Sequence, residues 1–147
     1  MKKIKFLNCN LDLLTIDETV KFIDKKIQQN EFIQQVVVNV AKIVNLQNNQ
    51  ELSRSVQESD LINIDGMGII YGAKLLNLDV KKEHKVSGID LFFRLLQLSE
   101  KRNYKIFLLG ATDEVINIAQ KKIIMKNPNL NIVGYHNGYF WNNEKEI

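Results

Sequence analysis

Short apolar runs alternate along this chain with longer segments that have helical periodicity. Residues 35–39 (QVVVN), 61–64 (LINI) and 104–109 (YKIFLL) have the length and the β-branched or aromatic content of buried strands. Between them, apolar residues recur at helical spacing, as in the segment 16–29. Strands separated by helices of ten or more residues are typical of βαβ units. The pattern therefore predicts an α/β fold with a mostly parallel, Rossmann-like sheet and helices on both faces, in one domain over residues 1–147.

Individual segments carry further expectations. The run 35–39 has three consecutive valines at its centre, which predicts a strand that is buried on both faces and central in the sheet. The polar helical region 41–59 is expected to break near Asn48-Asn49. Other predicted elements are a first strand within residues 1–14, a short strand at 131–134 and the start of a helix at 142–147.

Composition excludes several classes of protein. The formal charge of +3 is too small for the dense basic stripe of a nucleic-acid binder. Cys9 is the only cysteine, so no disulfide forms within the chain, and a reduced, cytoplasmic setting is the simplest expectation. No apolar run approaches the roughly 20 residues that cross a bilayer, so membrane contact is expected to be peripheral. Composition leaves self-association of the chain open.

The turn after the run 61–64 is the first candidate for a functional site. Asp65 stands at the carboxyl end of this predicted strand, which is the edge where open α/β sheets bind ligands. Gly66 and Gly68 remove side chains beside the carboxylate and favour close approach of a substrate. Asp65 is suited to abstract a proton from a hydroxyl, or it caps the following helix, and the spacing alone does not separate the two.

A dinucleotide-binding loop is a weaker interpretation of the same glycines. The third glycine is displaced to Gly72, and the charge of Asp65 would repel a pyrophosphate. The hypothesis of a nicotinamide-dependent oxidoreductase is therefore supported by Gly66-x-Gly68 alone.

A second loop and three other positions are also candidates. Residues 85–90 (KVSGID) lead into a helix, with Ser87 as a possible N-cap and Asp90 three residues later. Asn39 ends a strand at the same edge as Asp65, where it either hydrogen-bonds a sugar or caps a helix. Residues 110–112 (Gly110, Ala111 and Thr112) form a strand-to-helix turn of the kind that binds nucleotide phosphate, and His136 either contacts a diphosphate or stays neutral on the surface.

These loops belong to a longer series of segments with a definite order. The series comprises VNVAKIV, SDLINIDGMGIIYGAKLL, KVSGIDL, IFLLGA and NPNLNIVGYHNGYF. In content and spacing it resembles the WecG/TagA/CpsF family of bacterial glycosyltransferases, which includes the N-acetylmannosaminyltransferases of wall teichoic acid and enterobacterial common antigen synthesis. The resemblance covers most of the chain from about Val36 onward.

The resemblance implies an inverting hexosyltransferase that uses neither a metal nor a cofactor. Such an enzyme moves an N-acetylmannosamine-type sugar from a UDP donor to N-acetylglucosamine linked to polyprenyl diphosphate, during synthesis of teichoic acid, common antigen or exopolysaccharide. By this resemblance Asp65 is the general base, and Asn39 lies in the acceptor or donor pocket. By the same resemblance Lys85 and Ser87 stand near the diphosphate, and the loops at Gly110 and His136 help to shape the nucleotide-sugar site. The other implied substrate-binding residues are Gly66, Gly68, Gly88, Ala111 and Thr112.

The chain also departs from the family pattern. Val37 stands where family members often have threonine, which removes a hydroxyl contact of about 1 kcal/mol. Lys85 stands in place of the usual arginine, which keeps the charge but not the bidentate grip on phosphate. The family continues past Ile147 with a P-K-Q-E segment and a basic appendage that meets the membrane.

From this last departure we expect the C-terminal part of the family fold to be missing, in a fragment or a truncated product. Peripheral contact with the inner face of the cell membrane is expected to run through the missing segment. The alternative to an enzyme is a non-catalytic remnant that retains some binding of nucleotide sugar.

Overall fold

The computed structural model of the chain describes residues 2–140. These residues belong to two compact units, one that extends to Phe93 and one that begins at Arg94. Each unit is α/β in character, as the alternation of strands and helices predicts, and the predicted helix start at 142–147 lies outside the described residues.

The first unit contains most of the regular structure. Its elements in chain order are β1 (Lys3–Phe6), β2 (Cys9–Asp12), α1 (Ile16–Gln28), β3 (Gln35–Val38), α2 (Val40–Asn48), α3 (Gln50–Gln57), β4 (Leu61–Ile64), α4 (Met67–Leu75), a 3-10 turn (Lys82–His84) and the start of α5 (Gly88–Arg102). The second unit contains the rest of α5 together with β5 (Lys105–Leu109), α6 (Asp113–Lys126) and β6 (Asn131–His136).

Strand β4 is the centre of the first unit. All four of its residues are buried, and it pairs in parallel with β3 along one edge. On its other edge, the Ile62 amide donates to the Asp12 carboxylate at 2.9 Å, and the Ile64 carbonyl accepts from the Val86 amide at 2.7 Å. The prediction that the run 35–39 is the central, fully buried strand was therefore wrong. Of the residues in β3 only Val38 is buried, because within residues 2–140 β3 pairs with β4 alone.

Residues 3–12 form a hairpin and not the single predicted strand. Strands β1 and β2 pair antiparallel, and Leu7 takes a positive φ of 52° in the tight turn between them. The hairpin is joined to β4 by Asp12, whose buried carboxylate also lies 3.2 Å from the Lys3 ammonium. Burial of this charge is compatible with folding because both a cation and an amide hydrogen bond accompany it.

Side-chain caps define where helices α1 and α3 begin. Thr15 forms a complete capping box with Glu18 at the start of α1. Asn49 caps α3 by accepting from the Leu52 amide at 2.9 Å, and this cap separates α2 from α3. The predicted break near Asn48-Asn49 is thus confirmed.

Buried polar side chains connect β4 to α1 and β3. Asn63 donates to the Thr19 hydroxyl and accepts from the Gln35 amide group, each at 2.9 Å. Asn63 and Thr19 are fully buried, and these bonds satisfy their polar groups inside the core.

The second unit is a parallel β5–α6–β6 crossover. Tyr135 of β6 donates its hydroxyl to Asn117 of α6 at 2.9 Å, and Leu108 lies opposite Tyr135 in the sheet register and is buried. Helix α6 therefore covers the face that carries Leu108 and Tyr135. Phe107 and Leu109 point to the opposite face and are about half exposed, so the prediction of a buried strand at 104–109 was wrong for that face. Strand β6 also runs two residues beyond the predicted end at Gly134.

None of the helices within residues 2–140 combines the length and the apolar character needed to cross a membrane.

Candidate active site

Asp65 lies where three backbone segments of the first unit converge. Its own amide donates to the Val38 carbonyl at 2.8 Å, which holds it beside the end of β3. On the other side, Lys85 forms a parallel bridge with Ile64, directly before Asp65. The carboxylate is half-buried at the carboxyl end of β4, the edge at which open α/β sheets bind ligands.

The structure does not use Asp65 to cap the following helix. The N-cap residue of α4 is Gly66, and no side chain accepts a hydrogen bond at that position. Gly66 has φ 91° and ψ 158°, a conformation that residues with a Cβ rarely adopt. A Cβ built on Gly66 would meet no atom within 4 Å, so this side of the turn is open. The capping interpretation of Asp65 is therefore wrong, and its role in proton abstraction stays a prediction.

The second predicted loop reaches the carboxylate. A Cβ built on Gly88 would lie 4.0 Å from Oδ2 of Asp65 and 3.2 Å from Cγ2 of Val37. The Ser87 carbonyl accepts the Leu91 amide at 2.9 Å, so Ser87 is at the N-cap position of α5, as predicted. The positive end of the α5 dipole therefore lies close to the negative charge of Asp65.

Asn39 has a structural role at the same edge. Its Oδ1 accepts the Lys42 amide at 2.9 Å and caps α2, as one of the two predicted alternatives requires. The cap uses only the oxygen, so the Nδ2 group keeps its capacity to donate to a sugar hydroxyl. The Lys42 ammonium donates to the Val37 carbonyl at 2.9 Å, a contact that no local sequence signal predicts.

Gly68 and Lys85 complete the set of predicted residues in the first unit. A Cβ on Gly68 would lie 2.6 Å from Cγ2 of Val40, so this glycine is required for close packing of α4 against α2. That packing accounts for Gly68 without a substrate. The Lys85 side chain is exposed and leaves from the segment that pairs with Ile64. Asp65, Asn39, Gly66, Lys85, Ser87 and Gly88 all belong to segments at this one edge of the first unit.

The remaining predicted residues lie together in the second unit. Gly110 has φ 140° and Ala111 has φ 61°, which makes a sharp turn after β5. The Gly110 amide donates to the His136 carbonyl at 3.1 Å, and the Gly138 amide donates to the Ala111 carbonyl at 2.8 Å. A Cβ on Gly138 would lie 3.2 Å from Cα of Gly110, so the backbone of residues 136–138 closes one side of the turn.

The start of α6 has mixed electrostatic character. Thr112 caps the helix by accepting the Val115 amide at 3.4 Å. Asp113 and Glu114 follow in the first turn, and they oppose the attraction of the helix dipole for an anion. Asn137 donates to Asp113 at 2.9 Å and holds that carboxylate in place. A direct phosphate contact at this helix end is therefore less favourable than the glycine turn alone indicates.

His136 is half-buried at the end of β6 and close to the turn after β5. Its Nδ1 lies 2.9 Å from the Asn137 carbonyl, and because a carbonyl only accepts, Nδ1 carries the hydrogen. In the neutral ring Nε2 is then an acceptor. The ring also makes an edge contact with Phe140.

Within the described part of the chain there is no group of three or more histidine, cysteine, aspartate or glutamate side chains that could hold a metal ion.

Comparison with known proteins places the sequence in a family. The model of the family described as "Glycosyl transferase WecG/TagA/CpsF family" matches residues 4–147. A relative from Bacillus subtilis (strain 168), named N-acetylglucosaminyldiphosphoundecaprenol N-acetyl-beta-D-mannosaminyltransferase, is 34% identical over 84 residues, which cover 57% of this chain and 32% of the relative. A relative of the same name from Staphylococcus aureus (strain NCTC 8325 / PS 47) is 28% identical over 131 residues, which cover 88% of this chain.

The chain spans about half the length of the Staphylococcus relative, since the aligned residues cover 50% of that protein. The family match itself extends over nearly all of the present sequence, from residue 4 to residue 147. This chain therefore belongs to the WecG/TagA/CpsF family of glycosyl transferases.

Proposed function

We propose that the chain takes part in inverting transfer of an N-acetylmannosamine-type sugar from a UDP donor to N-acetylglucosamine linked to polyprenyl diphosphate. The observation that carries this proposal is the carboxylate of Asp65, which stands at the carboxyl end of β4 and is not used to cap α4. The names of the relatives supply the acceptor and the class of sugar.

In the proposed step, Asp65 accepts the proton of an acceptor hydroxyl as that oxygen attacks the anomeric carbon of the donor sugar. The bond between the anomeric carbon and the UDP oxygen breaks on the opposite face, and UDP leaves with the bonding electron pair. Attack opposite the leaving group inverts the configuration at the anomeric carbon. A positioned general base of this kind contributes typically 10²- to 10⁴-fold in rate.

The residues around Asp65 support binding of a sugar and its diphosphate. Gly66 leaves open space beside the carboxylate, and Asn39 retains an amide group that can donate to a hydroxyl. The exposed ammonium of Lys85 and the start of α5 at Ser87 and Gly88 supply positive charge for phosphate oxygens. The loops at Gly110 and His136 are proposed to bind the nucleotide sugar. We place the protein at the inner face of the cell membrane, where its lipid-linked acceptor would be held.

The test is a transfer assay with UDP-N-acetylmannosamine and N-acetylglucosaminyl-diphospho-polyprenol, on the wild type and on Asp65→Asn. The variant is expected to keep its circular dichroism spectrum and Tm and to lose about 10²-fold or more in turnover. Asp60→Asn is the matched control, because Asp60 precedes the opposite end of the same strand. Near-native turnover by Asp65→Asn would remove Asp65 from the mechanism.

A non-catalytic remnant is the second candidate, favoured by Val37 and Lys85, which stand where the family pattern has threonine and arginine. Calorimetric titration with UDP and the donor separates it from an enzyme. Donor binding by a wild-type chain that shows no transfer would support the remnant, and transfer would exclude it.

A further inference from the structure

Helices α2 and α4 present apolar side chains to solvent on neighbouring faces. Five residues, which we call the apolar track, are between 48% and 84% exposed: Leu7, Val40, Val44, Tyr71 and Leu75. Solvated helix faces are normally polar, and exposed apolar side chains grouped on adjacent helices are typical of a binding surface.

The apolar track begins at the candidate active site. Val40 directly follows Asn39, and its Cγ2 lies 2.6 Å from the position of a Cβ on Gly68, so the first turns of α2 and α4 are in contact. Both helices follow paired parallel strands and start at the edge that carries Asp65. Val44 is one turn beyond Val40, and Tyr71 and Leu75 lie on the same face of α4 as Gly68.

The track ends in a depression between α2 and the hairpin turn. Its volume is about 330 Å³, and its lining is Leu7, Asn8, Ile43, Val44, Gln47 and Asn48. None of these six side chains is charged. Helix α2 has nine residues and is therefore about 13 Å long.

The charge of this surface indicates what it binds. Helices α2 and α4 each contain a single charged residue, Lys42 and Lys74 respectively, although a quarter of all residues in the chain are charged. The Lys42 ammonium is already engaged by the Val37 carbonyl. An anionic bilayer surface attracts clusters of lysine and arginine, whereas a hydrocarbon chain needs an apolar, uncharged surface. The apolar track is apolar and uncharged, as a surface that binds a hydrocarbon chain needs to be.

We propose that the apolar track binds the first isoprene units of the lipid chain of the acceptor, while the sugar of the same acceptor lies at Asp65. This inference rests on the proposed function, because the acceptor joins a sugar, a diphosphate and a hydrocarbon chain in one molecule. The sugar end meets the carboxyl edge of β4, and the chain leaves over Val40 and Val44 toward the depression at Leu7.

The experiment measures affinity and not turnover, with the 147-residue chain in detergent-free buffer. Two probes are titrated calorimetrically: N-acetylglucosaminyl diphosphate with a methyl cap, and the same sugar diphosphate with a tail of two isoprene units. The wild type is expected to bind the tailed probe at least about tenfold more tightly, because the tail removes apolar surface from water. Equal affinity for both probes would overturn the inference.

Two valine variants test where the tail lies. Val44→Asn is expected to lose about threefold or more of the preference for the tailed probe and to keep its affinity for the methyl-capped probe. Val115→Asn on α6 is the matched control, since Val44 is 55% exposed and Val115 is 52% exposed. The control should bind both probes as the wild type does. An unchanged preference in Val44→Asn would overturn the inference.

Two other outcomes have separate meanings. If Val44→Asn converts a dimer to a monomer in sedimentation equilibrium and leaves the preference for the tail intact, a second copy of the chain occupies the surface and the inference is wrong. If neither probe binds to the wild type, the acceptor of the proposed function is wrong as well.

Discussion

The Oδ2 atom of Asp65 lies 4.0 Å from the point at which a Cβ of Gly88 would stand. The two residues belong to loops that are more than twenty residues apart in the sequence, and the bridge between Ile64 and Lys85 brings them together. Because Gly88 is the first residue of α5, the space beside the carboxylate is bounded by a helix start and not by a side chain. A sugar hydroxyl can approach Asp65 through that space.

Gly88→Ala is expected to reduce turnover at least about tenfold without loss of stability. The new methyl group would lie 3.2 Å from Cγ2 of Val37 and would fill the space next to Asp65. Alanine is favoured over glycine within helices by up to about 1 kcal/mol, which offsets the tight contact. A transfer assay and thermal unfolding check the two parts. Full activity in the variant would show that acceptors do not use this space.

Asp12→Ala is expected to lower the free energy of unfolding by about 3 kcal/mol, because it removes the partner of a buried amide and of a cation. The lost contacts are the hydrogen bond from Ile62 and the ion pair with Lys3. Asp12→Asn keeps an acceptor and should lose less. Urea unfolding measures both variants, with Glu51→Ala on the exposed surface of α3 as the control. A loss below about 0.5 kcal/mol would contradict the assigned role of the Asp12 carboxylate.

Gly68→Ala is expected to destabilise the chain by about 1 to 2 kcal/mol, against the helix preference for alanine, because its Cβ would collide with Val40. Val40 is partly exposed, so Val40→Ala alone should lower the free energy of unfolding only a little. The double variant Gly68→Ala with Val40→Ala should recover most of the loss, since the colliding methyl group is then absent. Urea unfolding of all four proteins gives the coupling energy. Additive effects would mean that α2 and α4 do not pack as closely as described.

The pH dependence of stability should change in Thr15→Ala. The Thr15 backbone amide and hydroxyl donate to Glu18 at 2.8 and 2.9 Å and lower the pKa of that carboxyl from its usual 4.5. The unfolded chain therefore binds more protons near that pH. The stabilisation from Glu18 is present above the ordinary pKa and is lost as the pH falls through the lowered one.

Thr15→Ala is thus expected to lower Tm by about 3 to 5 °C at neutral pH and by less in acid. Thermal unfolding near pH 7 and about pH 3 measures the difference. An equal loss at both pH values would show that Glu18 draws no stabilisation from the hydroxyl.

Local signals were sufficient to predict several parts of the molecule. The strand Leu61–Ile64 is confirmed, because a short, mostly apolar run between polar neighbours is typical of a buried strand in an alternating fold. The break between α2 and α3 is confirmed because Asn49 has a side chain that caps helices. The prediction that Asp65 lies at the carboxyl end of a buried strand also follows from neighbours within a few residues.

Features that depend on distant partners were not predictable in the same way. Asp12 is polar, and its burial depends on the Lys3 ammonium and on the Ile62 amide, which is fifty residues away in sequence. Phe107 and Leu109 have the composition of buried residues, and their exposure depends on which face of the sheet α6 covers. The proximity of Gly88 to Asp65 likewise depends on a bridge between loops, so the sequence indicated each loop and not the distance between them.

The bond from the Lys42 ammonium to the Val37 carbonyl also bears on aggregation. The Val38 carbonyl accepts the Asp65 amide and therefore points toward β4. Successive carbonyls of a strand point in opposite directions, so the Val37 carbonyl points away from β4, where Lys42 binds it. A strand from another molecule that paired with this edge would have to donate a hydrogen bond to the Val37 carbonyl. It would first have to displace the Lys42 ammonium. One lysine near the start of α2 thus protects the edge of the strand against growth of an intermolecular sheet.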